Sequence, residues 1–141
     1  MLEIISHSPE ETKAFAKNVA AQLRGGDVVI LDGELGSGKT TFTQGLAEAL
    51  GVAGAVRSPT FTVMNIHPVA HSEIREFVHM DFYRLKNQEE ALTLGLEEWI
   101  GKKDVILVAE WGSGFLDAVA TARVTFEATS PFSRRIRFER I

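Results

Sequence analysis

The chain has 141 residues, about the length of one domain, so a single domain over residues 1–141 with one buried core is expected. With 45% hydrophobic and 24% charged residues its composition is that of an ordinary globular protein, which disfavours disorder, collagen-like repeats and coiled coil. Its 15 basic and 19 acidic residues give a net charge of -4, the wrong sign for holding nucleic acid by phosphate neutralisation, and the absence of cysteine removes disulfides, thiolate metal sites and a catalytic thiol.

Residues 1–12 have no basic, long apolar leader pattern, and the longest apolar runs, 28–31 and 105–109, are far too short for a bilayer span, so a cytoplasmic protein is expected. Ser8-Pro9-Glu10-Glu11 has the form of a capping box with proline at the first helical position. Phe15, Val19 and Leu23 then recur at the spacing of one helix face until Gly25 and Gly26 stop it. Val28-Val29-Ile30-Leu31 is an unbroken aliphatic run, the pattern of a strand covered on both faces in a parallel sheet. A glycine-rich turn leads into a helix over 40–50, where Phe42, Leu46, Ala49 and Leu50 share a face and Gly51 ends it. Residues 61–66 and 76–83 predict two strands, separated by a polar, proline-containing surface loop over 67–73. A helix over 87–100 carries Leu92 and Leu96, and 105–109 repeats the buried-strand pattern, ending on Glu110-Trp111. The tail alternates at Val124 and Phe126, turns through Ser130-Pro131-Phe132-Ser133 and alternates again at Ile136 and Phe138, which predicts a terminal hairpin.

Gly33-Glu34-Leu35-Gly36-Ser37-Gly38-Lys39-Thr40 fits G-x-x-x-x-G-K-[ST] at every fixed position and lies between the first buried strand and a helix. From average residue usage the pattern arises by chance in a chain this long with a probability of roughly 0.5%. A polyphosphate needs many donors at once, and consecutive backbone N-H groups supply them only where the chain curls tightly round the anion, which glycine permits. The nucleotide-binding set is therefore Glu34, Leu35, Gly36, Ser37, Gly38, Lys39, Thr40 and Thr41, with Trp111 as a further candidate. Lys39 supplies a point charge for the β and γ oxygens, Thr40 a hydroxyl for Mg²⁺, and Thr41 reaches the α-phosphate. The pattern implies an α/β protein with a small single-domain P-loop NTPase fold, a mostly parallel central sheet flanked by helices and a C-terminal β-hairpin.

Glu110 ends the second buried run, where the acidic residue of a Walker B strand sits, although glutamate stands there in place of the usual aspartate. Lys39, Asp81 and Glu110 form the candidate catalytic set, and Thr40 and Glu110 the candidate metal ligands. Asp81, at a predicted strand end, either orients the attacking water or ligates Mg²⁺. Trp111 is open to three readings: a base stacker, a partner contact, or the core tryptophan more common after a buried strand. His67 and His71 are four apart, but Pro68 between them opposes a metal-binding helix and leaves surface histidines. Arg134, Arg135, Arg137 and Arg140 read as a solvated hairpin face.

The ordered segments GELGSGKTTFTQGL, SPTFTVMN, HMDFYRL, LGLEEWI and VILVAEW, which lie within residues 33–111, resemble the bacterial TsaE (YjeE) ATPases of tRNA threonylcarbamoyladenosine synthesis. That resemblance implies a switch I segment at 58–62, a switch II segment at 79–84 carrying Asp81, Glu110 as the Mg²⁺-facing acid and Trp111 as its characteristic neighbour. It also implies ATP hydrolysis and binding to the TsaB-TsaD pair, which with TsaC modify adenosine 37 of tRNA. The chain would then be an accessory ATPase that meets tRNA only through its partners. Two alternatives stand beside this: a small-molecule kinase, and a nucleotide-controlled binding module with negligible turnover. There is no N-K-x-D segment to support GTP, and no obvious arginine finger, so turnover is expected to be slow alone and raised by the partner pair.

Overall fold

Unbroken aliphatic runs need apolar cover on two faces, and alternating runs on one. The computed structural model describes residues 1–34, 36–54, 56, 64–70, 73–82, 95–111 and 114–141, and it places both kinds of strand in one sheet. In chain order these residues form β1 (Leu2–Ser6), α1 (Pro9–Ala20), β2 (Val28–Asp32), α2 (Lys39–Leu50), β3 (Met64–Pro68) and β4 (Glu76–Asp81). A single 3-10 turn (Leu96–Glu98), β5 (Val105–Glu110), β6 (Ala122–Ser130) and β7 (Ser133–Arg140) follow. The sheet order is β1-β7-β6-β2-β5-β4-β3. β6, β2, β5 and β4 are parallel neighbours, while β7 runs antiparallel to β6 and to β1, and β3 antiparallel to β4. The α/β class, the mostly parallel centre and the C-terminal hairpin are therefore as the sequence leads one to expect.

Both helices cover the same face. Phe15 and Val19 of α1 and Phe42 and Leu46 of α2 pack with Val29, Leu31, Val108, Val124 and Ile136, and the Phe42 ring meets Phe126 edge-on at 5.4 Å between centroids. On the other face Val28, Ile30, Met80 and Leu107 are covered by Leu96 and Leu116 with Trp99 against them. Each such aliphatic side chain contributes about 1.5–3 kcal/mol by leaving water. Ser8 caps α1 by accepting from the Glu11 N-H at 3.1 Å, and the Glu11 carboxylate returns to the His7 N-H at 2.8 Å. No helix among the described residues is long and apolar enough to cross a membrane.

The structure corrects the sequence reading in four places. β1 occupies residues to which no element was assigned, held by its pairing with β7 rather than by local preference. α1 ends at Ala20, before the glycines, because the Gln22 and Leu23 N-H groups turn onto Val19 and Ala20 carbonyls. β3 runs on through His67 and Pro68, which were expected in a surface loop; it is the last strand in the sheet order, where a missing N-H is tolerated. His67 is consequently half-buried against Phe77, and its buried Nε2 has no hydrogen-bond partner among the described residues. Burial, helped by the charge of His79, holds the His67 pKa below the ordinary histidine value. Residues 95–100 hold the 3-10 turn after a left-handed Gly95 (φ 73°) where a helix was expected, and 87–94 lie outside the described residues, as does His71.

Candidate functional site

The chain leaves β2 at Gly33 in a space where only glycine fits: a Cβ there would lie 2.7 Å from Ser37 Oγ and 2.8 Å from Phe126 Cβ. It enters α2 through Gly38, which takes the left-handed conformation (φ 99°) that side-chain-bearing residues rarely adopt. Among the described residues no side chain caps the start of α2, and its first turn holds no acidic residue. The positive end of the helix dipole and its N-H groups are therefore left for an anion.

That helix start opens into a cavity of about 350 Å³ at the C-terminal ends of the parallel strands. Gly36, Gly38, Lys39, Thr40 and Thr41 line it from the loop and α2, Asp81 from the end of β4, and Glu110 and Trp111 from the end of β5. Pro9 and Arg134 complete the lining. The parallel register sets Asp81 directly opposite Glu110, so two carboxylates, 6% and 4% exposed, enter the cavity side by side.

Lys39 is 4% exposed; its Nζ donates to the Gly33 carbonyl at 2.6 Å and lies 3.9 Å from the centroid of the Trp111 ring. Burial lowers its pKa from the ordinary lysine value, against the opposing pull of Glu110, Asp81 and Asp32. Trp111 has the one left-handed backbone among the described non-glycine residues (φ 60°), a conformation costing on the order of 1 kcal/mol. The turn it makes aims the ring at Lys39 while its edge rests on the core, so it packs and lines the cavity at once. Glu110 Oε2 accepts from His79 Nε2 at 2.7 Å, inside the protein.

Arg134, assigned from the sequence to a solvated hairpin face, instead reaches the phosphate loop. Its Nη2 donates to the Gly36 carbonyl at 3.0 Å, and its side chain covers Gly38. Two important residues were thus missed: Arg134, which is 98 positions from its loop partner, and His79, which is 31 from Glu110. No local spacing signals either; only the sheet order brings them in. Of the expected nucleotide set, Glu34 and Ser37 line a neighbouring cavity of about 250 Å³ against Phe126, and Leu35 lies outside the described residues. The expected switch I at 58–62 also lies outside them, as do Tyr83 and Arg84 of switch II.

Thr40, Asp81 and Glu110 offer Mg²⁺ the hydroxyl and carboxylate oxygens it prefers, within one cavity. Among the described residues no group of three or more His, Cys, Asp or Glu side chains forms a metal cage.

The family model described as "Threonylcarbamoyl adenosine biosynthesis protein TsaE" matches residues 6–136. The chain is 47% identical over 104 residues to the tRNA threonylcarbamoyladenosine biosynthesis protein TsaE of Bacillus subtilis, a match covering 74% of this chain and 62% of that protein. It is 42% identical over 113 residues to the Streptomyces coelicolor protein of the same name, covering 79% and 74%, and 40% identical over 111 residues to that of Aquifex aeolicus, covering 77% and 75%. Among solved structures it is similar to the crystal structure of Bacillus subtilis YdiB, with a TM-score of 0.73 and 34% identity over 99% of this chain and 85% of that one.

Proposed function

The chain belongs to the TsaE family of tRNA threonylcarbamoyladenosine biosynthesis proteins, and from that membership and the cavity beside β2 we propose that it is a Mg²⁺-dependent ATPase. The observation that carries this reading is one cavity in which an uncapped helix start and Lys39 oppose the buried pair Asp81 and Glu110. Polyphosphate settles on the N-H groups of residues 36–41. Lys39 leaves the Gly33 carbonyl and the Trp111 ring for the β and γ oxygens, and Arg134 adds a second cation on the far side of β2 from Glu110. Thr40 and Glu110 would hold Mg²⁺, which would supply charge neutralisation for the phosphates.

Asp81, beside Glu110, orients a water whose oxygen attacks the γ-phosphorus. The bond from that phosphorus to the ADP oxygen breaks, and the water proton leaves with the inorganic phosphate. Residues 1–141 act as one nucleotide-binding unit in the cytoplasm. Among the described residues Arg134 is the arginine lining the cavity, and it stands by the loop rather than by the carboxylates. An arginine placed on the γ-phosphate contributes about 10³ to 10⁵ in rate, so turnover is slow alone and the TsaB-TsaD pair raises it. With a net charge of -4, contact with tRNA falls to those partners.

The test is phosphate release with and without TsaB and TsaD. Slow release alone and at least a tenfold rise with the pair supports an energy-using accessory subunit. Tight Mg-ADP binding with no release in either condition would replace it by a binding module, and fast release unaffected by the pair would remove the partner.

A further inference from the structure

His79 occupies a strand position that an aliphatic residue would fill. It lies in β4 among Phe77, Val78 and Met80, all of them fully buried, and is itself 0% exposed. Its Nε2 is 2.7 Å from Glu110 Oε2, while its Nδ1 is buried with no hydrogen-bond partner among the described residues. A buried polar atom left unpaired costs free energy that a leucine or phenylalanine at this position would not, so packing alone argues against imidazole here. The polar interaction among the described residues that repays the histidine is its bond to Glu110.

We infer that His79 is a positioning residue: it fixes the Glu110 carboxylate so that one oxygen is held in the interior and the other is kept for Mg²⁺ in the cavity. The inference rests on the nucleotide-site reading above. A carboxylate only accepts, so the ring donates from Nε2. Register sets Asp81 opposite Glu110, which puts His79 two residues away on the same sheet face, within reach of the side chain but out of the cavity lining. Among the described residues Oε2 alone is engaged, so the carboxylate is restrained without losing its capacity to ligate. The restraint has a specific use here. Lys39 lines the same cavity and attracts Glu110, yet its Nζ lies on the Gly33 carbonyl and the Trp111 ring. With Glu110 held by His79, the lysine stays available for phosphate and the acid for the metal.

The test compares His79→Asn with His79→Gln, reading ADP affinity by titration calorimetry over a range of Mg²⁺. Glutamine carries an amide N-H to about the reach of Nε2, and asparagine does not. The apparent Mg²⁺ affinity should fall about 10- to 100-fold in His79→Asn and recover most of its value in His79→Gln, with metal-free ADP affinity within about twofold of wild type in both. His79→Leu, which suits the apolar surroundings, carries the same expectation if His79→Asn does not fold. A wild-type Mg²⁺ response in His79→Asn or His79→Leu would overturn the inference. So would equal losses in Asn and Gln variants, or a matching loss of metal-free affinity. Wild-type ADP binding that ignores Mg²⁺ would overturn the nucleotide-site reading itself, a result distinct from unaltered variants of a responsive protein.

Discussion

β5 buries all of its residues, whereas β6, two places along the sheet, buries alternate ones and leaves its last four exposed. Helices cover one face of both. The second face of β5 and its neighbours β2 and β4 lies under Leu96 and Leu116, while that of β6, β7 and β1 carries ion pairs such as Arg137–Glu3 at 2.9 Å and Arg135–Glu127 at 3.6 Å. The difference bears on where the chemistry sits. The two cavity carboxylates, Asp81 and Glu110, stand on the doubly covered strands and are nearly inaccessible. The singly covered half supplies Arg134, a longer and more exposed side chain that reaches in from the side. The phosphate loop follows β2, at the seam between the halves.

The contrast can be broken by substitution. Leu107→Ala, in the doubly covered half, should cost about 2–5 kcal/mol of stability in denaturant unfolding. Lys39→Ala should weaken ADP binding by on the order of 100-fold while leaving the unfolding midpoint nearly unchanged, because it removes a charge-assisted contact rather than core volume. Arg134→Ala should cost about tenfold in the same titration, since its site is more open to solvent screening. The pair Asp27–Arg140, at 2.6 Å, gives a pH signature. Burial opposes the charged carboxyl, but Arg140, the Arg24 N-H and the Thr121 hydroxyl outweigh it and leave the Asp27 pKa below the ordinary aspartate value. Its contribution is therefore present above the ordinary carboxylate range and lost as pH falls below it. Asp27→Asn should flatten that acid-side loss by about 1 kcal/mol or less. Glu3→Ala, on the singly covered face, should stay within about 0.5 kcal/mol of wild type.

Much of this was legible from local pattern. The aliphatic runs of β2 and β5, the G-x-x-x-x-G-K-T loop and the alternating hairpin strands each carry their signal within ten residues or so, and they place Lys39, Thr40 and Glu110 at one end of the sheet. β1 was not legible because its five residues are held by β7, over a hundred positions away. Pro68 argued for a loop because sequence alone does not say which strand lies last in the sheet. His79 reads as one more residue of an apolar strand until β4 and β5 are paired, and Arg134 as surface charge until β7 is set beside the loop.

The central claim is that the curled loop after β2 and the acids at the ends of β4 and β5 grip a Mg²⁺-bound adenine nucleotide together. Calorimetric titration of the folded protein with ADP, in magnesium and then in chelator, tests it most directly. One saturable site, tightened by magnesium and weakened in Glu110→Gln only when the metal is present, is the predicted result. No heat at millimolar ADP over several temperatures, or binding indifferent to both magnesium and Glu110, would contradict it.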